Sequence, residues 1–119
     1  MHEKVNLAAK FALLDRPFEP GIVAYVDDHK LQVVKVLGPF VWHTHEDADD
    51  LFLVIEGQLT IHLRDRDIVL DPGELFVVPK GVEHCPEAIQ ETKVLLIERT
   101  GTVNTGDAGG ELTATIPEI

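Results

Sequence analysis

The segment from Gly38 to Gly57 reads GPFVWHTHEDADDLFLVIEG, and it carries the features from which the fold of this chain can be inferred. A Gly-Pro pair at its start ends one extended stretch and allows another to begin. The continuous apolar run Leu51–Ile55 follows an acidic stretch and is bounded by Glu56-Gly57, as expected of a buried strand that ends in a turn or bulge. The segment therefore predicts short strands separated by tight turns.

The same pattern continues on both sides of this segment. Apolar residues alternate with polar ones over Leu59–Leu63, which is the period of a half-buried strand. A polar stretch, Gln90–Lys93, is interpreted as a break between two later strands. The remaining runs with strand character are Gly21–Asp27, Leu31–Leu37, Phe40–His45, Ile68–Leu70, Leu75–Val78, Val82–Cys85 and Val94–Glu98. Many short strands with Pro and Gly between them predict an all-β sandwich or barrel, since a parallel α/β sheet would need helices between its strands.

One short helix is predicted ahead of the strands. Asn6 is a suitable N-cap for a helix over Leu7–Leu14, and Arg16-Pro17 follows its end. A chain of 119 residues suits one domain with one core. We therefore expect a helix and lead-in over residues 1–20, a barrel over 21–99 and a C-terminal tail over 100–119.

Composition excludes several classes of function. The chain has 21 Asp and Glu against 10 Lys and Arg, a formal net charge of −11, which would repel the phosphates of a nucleic acid. Its longest apolar run is far shorter than the ~20 residues of a membrane-spanning helix, and residues 1–10 have no secretory core. We expect a cytoplasmic protein. Because Cys85 is the only cysteine, any metal must be held by nitrogen and oxygen atoms.

Two histidines, His43 and His45, are candidate metal ligands. Residues two apart in an extended segment point to the same face, about 6.6 Å apart along the backbone. Two imidazoles at that spacing can bind one metal at about 2.0–2.1 Å from each nitrogen. With six histidines in the chain, this spacing alone is equally compatible with two solvated side chains on a surface strand.

A third histidine strengthens the case for a metal site. His84 ends the segment GELFVVPKGVEH, residues 73–84, in which an apolar strand is followed by Pro79-Lys80-Gly81. A tight turn here reverses the chain and returns His84 to the end of the preceding strand. Ligands contributed by separate strands are typical of rigid sites in β-barrels.

Together the two segments resemble the two motifs of the cupin superfamily. The first is matched by Gly38, His43, His45, Asp50 and Gly57, and the second by the run from Gly73 through Pro79 and Gly81 to His84. The resemblance implies a double-stranded β-helix, or jelly-roll barrel, with one divalent metal ion near one mouth, held by three His and one Glu. Three of those ligand positions are occupied here by histidine.

The chain departs from the family pattern at two positions. Asp50 stands where the family has Glu, and Ala88 stands where an Asn often closes the second motif. Asp50 would bind the metal directly or through a water, or else would leave a three-histidine site with extra open positions. Glu46 is expected to point away from the histidine face. The resemblance is compatible with Zn, Mn, Fe, Ni or Co.

The surroundings of the site are predicted to be mostly apolar. If Asp50 faces the cavity, strand parity places Phe52 and Val54 beside it, and His84 would bring Val82 and Pro86. No second acid or base is evident in these strands. The candidates for such a group are Tyr25, Glu74, Lys80 and Glu83, but strand parity does not show whether their side chains point into the cavity. His62 and Cys85 are interpreted as ordinary strand residues.

The resemblance leaves three functions open. The first is a metal-dependent oxygenase or isomerase that acts on a small molecule through His43, His45, Asp50 and His84. The second is a non-catalytic module that binds a sugar or another small ligand, and the third is a barrel without metal. Fold alone does not choose among them. We also expect a homodimer, because the N-terminal segment and the first strands offer apolar edges.

Overall fold

The computed structural model describes residues 3–119, so Met1 and His2 of the predicted lead-in lie outside the described residues. It contains one short helix and seven strands. Their bounds are α1 Leu7–Ala12, β1 Gly21–Val26, β2 His29–Pro39, β3 Asp50–Glu56, β4 Leu59–Leu63, β5 Asp67–Leu70, β6 Leu75–Val78 and β7 His84–Arg99. The predicted all-β class with a short N-terminal helix is confirmed. Within residues 3–119, no helix has the length and apolar character needed to cross a membrane.

The strands form an antiparallel jelly-roll barrel around the long strand β7. The order of the main sheet is β1-β2-β7-β3-β6. β2 pairs with nearly the whole length of β7 along one side. On the other side, the first part of β7 pairs with β4, and its later part pairs with β3. One strand, β7, thus belongs to both faces of the barrel. The first residues of β3 and β7, Asp50 and His84, lie at the same mouth.

Two predicted strand boundaries are wrong. The expected break at Gln90–Lys93 does not occur, because β7 runs without interruption through it. Val36 pairs with Thr92 but Gly38 pairs with Ala88, so the polar stretch forms a bulge at which β7 changes partner from β4 to β3. Gln90 and Glu91 face solvent at this corner, and the buried Thr92 donates its hydroxyl to the Gln58 carbonyl oxygen, so the strand can continue through the polar stretch.

The second error concerns Phe40–His45, for which an extended strand is predicted. In the structure it is a connection between β2 and β3 that makes a single β-bridge, between His43 and His84. The reason is that the Gly38-Pro39 pair ends β2, and a proline cannot donate a ladder hydrogen bond to a further strand.

The interior contains two apolar clusters. The larger fills the barrel and includes Val54, Leu59, Ile61 and Val94, all of which are fully buried. The smaller lies beneath α1, where Phe11 and Leu14 pack on Val23 and Val33. Asn6 caps the helix as predicted, since its side chain accepts a hydrogen bond from the Ala9 amide at 3.0 Å. The helix therefore covers part of the outer face of the main sheet.

His62 connects three strands on the surface of the barrel. It lies on β4, with Nδ1 at 2.7 Å from Asp67 Oδ1 on β5 and Nε2 at 2.8 Å from Glu87 Oε1 on β7. The hydrogen bond to Glu87, and next the one to Asp67, raise the pKa of His62 above its ordinary value of 6.5. The expectation that His62 is an ordinary strand residue agrees with this exposed ion-pair arrangement.

This arrangement predicts a pH-dependent contribution to stability. A histidine whose pKa is raised by folding stabilises the protein fully below its unfolded pKa, and the contribution disappears as pH rises through the folded pKa. We expect the Tm of the wild type to exceed that of His62→Gln by roughly 1–5 °C at about pH 6 and the difference to vanish by about pH 9. Thermal unfolding followed by circular dichroism tests this. A difference that stays constant with pH would contradict it.

Candidate metal centre

Two connections of the barrel, β2–β3 and β6–β7, place four polar side chains at one mouth. His43 and His45 lie in the connection between β2 and β3, Asp50 is the first residue of β3, and His84 is the first residue of β7. Reciprocal backbone hydrogen bonds of 3.0 Å join His43 to His84. All four residues are buried, and each offers a donor atom within 4.8 Å of the donor atoms of the others. The structure therefore brings together the four residues that the sequence singled out.

Backbone carbonyl groups determine the orientation of two of the imidazoles. His43 Nδ1 lies 2.8 Å from the Val41 carbonyl oxygen, and His84 Nδ1 lies 2.9 Å from that of Val82. Because a carbonyl oxygen can only accept, Nδ1 carries the proton in each ring, and a neutral ring presents a bare Nε2. Burial, and next the charge of His84, lower the pKa of His43 to about 4. His43 is therefore neutral at pH 7, as a metal ligand must be.

The donor atoms are spaced as a divalent metal requires. Asp50 Oδ2 lies 3.4 Å from His45 Nε2 and 3.7 Å from His84 Nε2. Two ligands each about 2.1 Å from a tetrahedral or octahedral ion are about 3.0–3.4 Å apart, so only a small contraction is needed. Among residues 3–119, His45 Nε2, His84 Nε2 and Asp50 Oδ1 find no hydrogen-bond partner although they are buried. Buried polar atoms are rarely left so, and a metal ion would satisfy them.

The electrostatics of Asp50 also suit a cation. Burial alone would raise the pKa of Asp50, but the nearby imidazoles of His45 and His84 stabilise the carboxylate and lower that pKa below its usual value. The carboxylate is therefore ionised at neutral pH in a site that it shares with three imidazoles. The group could hold a metal ion, and nitrogen and oxygen donors of this kind suit Zn, Mn, Fe, Ni and Co.

A mostly apolar pocket is lined by two of the four residues, His43 and Asp50. Phe52 faces the pocket together with Asp50, as strand parity predicts. Its ring centroid lies 6.0 Å from that of His84. Phe40 packs between Phe18, at 5.1 Å, and His43, at 5.4 Å, measured between ring centroids. The lining residues are Phe18, Pro20, Val34, Val36, Phe40, His43, Asp50, Phe52, Pro86, Leu96, Glu98 and Asn104. The predicted apolar character of the pocket agrees with this lining.

Glu98 is a buried acid in this pocket that the sequence reasoning missed. It is 2% exposed, and it lies on β7 directly opposite Asp50 of β3 and Lys30 of β2. Gln32 Nε2 donates a hydrogen bond to Glu98 Oε1. Burial, and next the charge of Asp50, raise the pKa of Glu98 well above its usual range. Parity could have found it, because Glu98 is four residues from the buried Val94 on the same strand.

The acids and bases that the sequence suggested instead lie elsewhere. Tyr25 donates a hydrogen bond of 2.6 Å to Glu118, and Glu83 pairs with Arg64 at 3.1 Å. Glu74 accepts a hydrogen bond from the Asp71 amide. These four candidates, Lys80 included, are absent from the pocket lining as the structure describes it.

The C-terminal segment packs against the histidine-bearing connection. The expected loop after Arg99 is present, and its Asp107 accepts a hydrogen bond of 2.8 Å from the Thr44 amide. The Asp107 amide in turn donates to the Thr44 carbonyl oxygen at 3.2 Å. Thr44 lies between His43 and His45, so this contact holds the backbone that carries both imidazoles.

We therefore expect Asp107 to influence metal affinity without contacting the metal. Asp107→Ala removes the acceptor for the Thr44 amide and should weaken metal binding about tenfold, as is typical of groups that position ligands. Asp107→Asn keeps an acceptor oxygen and should remain within about threefold of the wild type. Competition with a chromophoric chelator measures both values. Equal affinities of Asp107→Ala and wild type would show that the segment has no such influence.

Comparison with known proteins agrees with the fold and the motifs. Residues 30–98 match the cupin domain family. The chain therefore belongs to the cupins, and the resemblance inferred from the two motifs is confirmed. A cupin-2 domain protein of Shewanella frigidimarina has a similar structure, with 45% identity and a TM-score of 0.78 over 80% of this chain and 93% of that one.

Three other relatives match smaller shares of their own chains. The uncharacterised protein YdbB of Bacillus subtilis is 34% identical over 77 residues, which are 64% of this chain and 68% of YdbB. Bovine 3-hydroxyanthranilate 3,4-dioxygenase is 32% identical over 76 residues, which are 59% of this chain but only 27% of that enzyme. The structure of KdgF from Halomonas is similar with 28% identity and a TM-score of 0.61, over 67% of this chain and 77% of that one.

Proposed function

We propose that this cupin binds one divalent metal ion through His43, His45, Asp50 and His84 and acts on a small organic molecule held in the adjoining pocket. The observation that carries the proposal is the convergence, beside an apolar pocket, of buried donor atoms that have no hydrogen-bond partner among residues 3–119. Such a combination is the usual character of a small-molecule site with a resident metal.

A metal bound there would supply Lewis-acid chemistry at an oxygen atom of the small molecule. The chain itself would orient that molecule. Phe18, Phe40 and Phe52 form apolar walls that exclude water, and Glu98 offers a carboxyl group close to Asp50. The Nδ1–H groups of His43 and His84 donate to backbone carbonyl oxygens, so both rings present Nε2 to the site.

An oxygenase is our first candidate among the metal-dependent reactions, with an isomerase as the other. The similarity to a 3-hydroxyanthranilate dioxygenase supports an oxygenase, over the quarter of that enzyme that the chain spans. Three imidazoles and one carboxylate are also compatible with iron, the metal suited to dioxygen chemistry.

The test is an activity assay on protein of known metal content. Protein reconstituted separately with Fe, Mn, Ni, Co and Zn is assayed for oxygen consumption with catechol, enediol and diketone compounds, and for isomerisation of sugars. We expect turnover with one metal and none after the change His84→Ala. Silence with every metal, when elemental analysis shows the metal bound, would reject the enzymatic proposal.

A non-catalytic ligand-binding cupin is the second candidate. It is favoured by the shortage of acids and bases in the pocket, since Glu98 is the one ionisable group besides His43 and Asp50 in the lining as described. Ligands that raise the Tm of the metal-loaded protein but are recovered unchanged after long incubation would support it.

We also propose a cytoplasmic homodimer. The outer face of β3 and β6 carries an apolar patch that α1 does not cover. The patch includes Leu75, which is 55% exposed, and Val77, which is 40% exposed. β1 contributes the exposed Tyr25 and Val26 at the opposite edge of the sheet. Burial of such surfaces favours association. A monomer by light scattering at micromolar concentration would contradict the dimer.

A further inference from the structure

Lys30, Glu98 and Asp50 lie opposite one another on β2, β7 and β3 and form a cross-strand row. This row and the pocket lining indicate which ligands the site accepts. We propose, on the basis of the proposed metal site, that the pocket selects neutral hydroxylated or aminated aromatic compounds and rejects their carboxylate-bearing analogues. The reasons are the charge of the lining, the aromatic walls and the position of Glu98.

The lining has acidic groups but lacks a cation to bind an anionic substituent. In the part of the chain that the structure describes, the pocket lining contains Asp50 and Glu98 and neither Lys nor Arg. Carboxylates are bound in proteins mainly by Arg, Lys or helix N-termini, and burial of an unpaired charge is costly. A carboxylate on the ligand would thus be placed beside two carboxyl groups without a partner.

Lys30 does not supply the missing cation. It lies opposite Glu98 in the same cross-strand row and is 4% exposed, but its ammonium group donates to the Thr102 carbonyl oxygen at 2.8 Å. The same nitrogen lies 3.9 Å from Glu98 Oε1. Its charge is therefore directed to groups of the protein on the side of Glu98 that is turned away from Asp50.

A metal ion does not change this balance. A divalent ion beside Asp50 leaves one positive charge, which a single ionised hydroxyl of the ligand would cancel. A further carboxylate would make the buried site negative overall. The formal net charge of −11 for the whole chain acts in the same direction.

Glu98 is placed to recognise a hydrogen-bond donor next to the coordinating oxygen. Gln32, which is fully buried, donates to Glu98 Oε1 and so orients the carboxyl group. A carboxyl group accepts a hydrogen bond through at least one oxygen, whether or not it carries a proton. A second hydroxyl or an amino group on a ring that lies against Phe52 would be such a donor. The walls formed by Phe18 and Phe40 favour a flat apolar body.

The experiment uses three probes that differ in size and charge. The full-length protein is loaded with Co²⁺, its cobalt content is measured, and its visible spectrum is titrated at neutral pH with catechol, 2,3-dihydroxybenzamide and 2,3-dihydroxybenzoate. The last two have nearly the same shape, but only the benzoate carries an additional carboxylate. We expect the benzamide to bind at least about tenfold more tightly than the benzoate, and catechol to bind as well.

The variant Glu98→Gln tests the source of the discrimination. It keeps the size of the side chain and supplies an amide N–H group that can donate to a carboxylate, so we expect the ratio between benzamide and benzoate to fall to about threefold or less. If that variant does not fold, the ratio measured on the wild type decides the question alone. A benzoate that binds as tightly as the benzamide overturns the inference and leaves the metal-dependent function intact. A cobalt spectrum that responds to none of the probes overturns both.

Discussion

The change His84→Ala is expected to abolish the thermal stabilisation that divalent metal ions give to this protein. His84 is fully buried, and its Nε2 lacks a hydrogen-bond partner among the described residues while lying 3.7 Å from Asp50 Oδ2. A ligand that binds only the folded state stabilises it by about 2.7 kcal/mol at a concentration of 100 times Kd. For a chain of this length that corresponds to roughly 10 °C in Tm.

The expected loss of affinity is large because each ligand carries a substantial share of the binding free energy. Four-ligand zinc sites have apparent binding free energies of about 10–16 kcal/mol, so one ligand accounts for about 2.5–4 kcal/mol. We therefore expect His84→Ala to weaken binding about 100-fold to 1000-fold. Titration against a chelator of known affinity, together with the Tm with and without metal, measures the effect.

Two controls make this result specific. The protein must be purified without a histidine tag, and His29→Ala serves as the matched variant, because His29 pairs with Asp28 on the surface. We expect His29→Ala to keep the full metal response. Asp50→Asn, which keeps the shape and removes the charge, tests whether Asp50 binds directly, since a direct ligand should cost at least tenfold in affinity. An unchanged metal response in His84→Ala would reject the four-residue site.

The second large effect is expected for Gly57→Ala, which should lower the free energy of unfolding by about 3 kcal/mol. Gly57 has φ +95°, a backbone conformation that residues with a side chain rarely adopt. An added Cβ would also lie 3.0 Å from Thr92 Cα and closer still to the Thr92 hydroxyl. Thr92 is fully buried at the corner of β7, and its hydroxyl donates to the Gln58 carbonyl oxygen at 3.0 Å.

Gly73→Ala is the matched control for that prediction. Gly73 has φ +84°, but no atom lies within 4 Å of the position that its Cβ would occupy. The variant therefore has the backbone strain without the steric clash, and about 1 kcal/mol of destabilisation is expected. Urea denaturation of both variants gives the comparison. Equal destabilisation would show that contact with Thr92 contributes nothing.

Most of the strand pattern could be predicted because it depends on local features of the chain. The alternation over β4 and the glycine and proline positions in the turns are readable without knowledge of any distant residue. The bulge in β7 was misread because its polar residues look like a loop. Only the pairing of β7 with β4 and then β3 shows that the strand continues there.

The candidate site was only partly predictable for a related reason. His43, His45 and His84 could be named because they occupy the histidine positions of two motifs whose Gly and Pro residues have characteristic spacing. The contact of Asp107 with the Thr44 amide could not be foreseen, because it joins residues 63 positions apart and Asp107 lies in a tail of ordinary loop composition. A contact of this kind leaves no local pattern.

The sequence by itself therefore determined the all-β class, the cupin motifs and the four residues that cluster at the mouth of the barrel. Each of these depends on strand parity, turn residues or motif spacing, which are properties of neighbouring positions. Only the tertiary structure placed Glu98 opposite Asp50 and removed Tyr25, Glu74 and Glu83 from the site. Which side chains face one another across a barrel depends on strand register, and register is set by packing of the whole core.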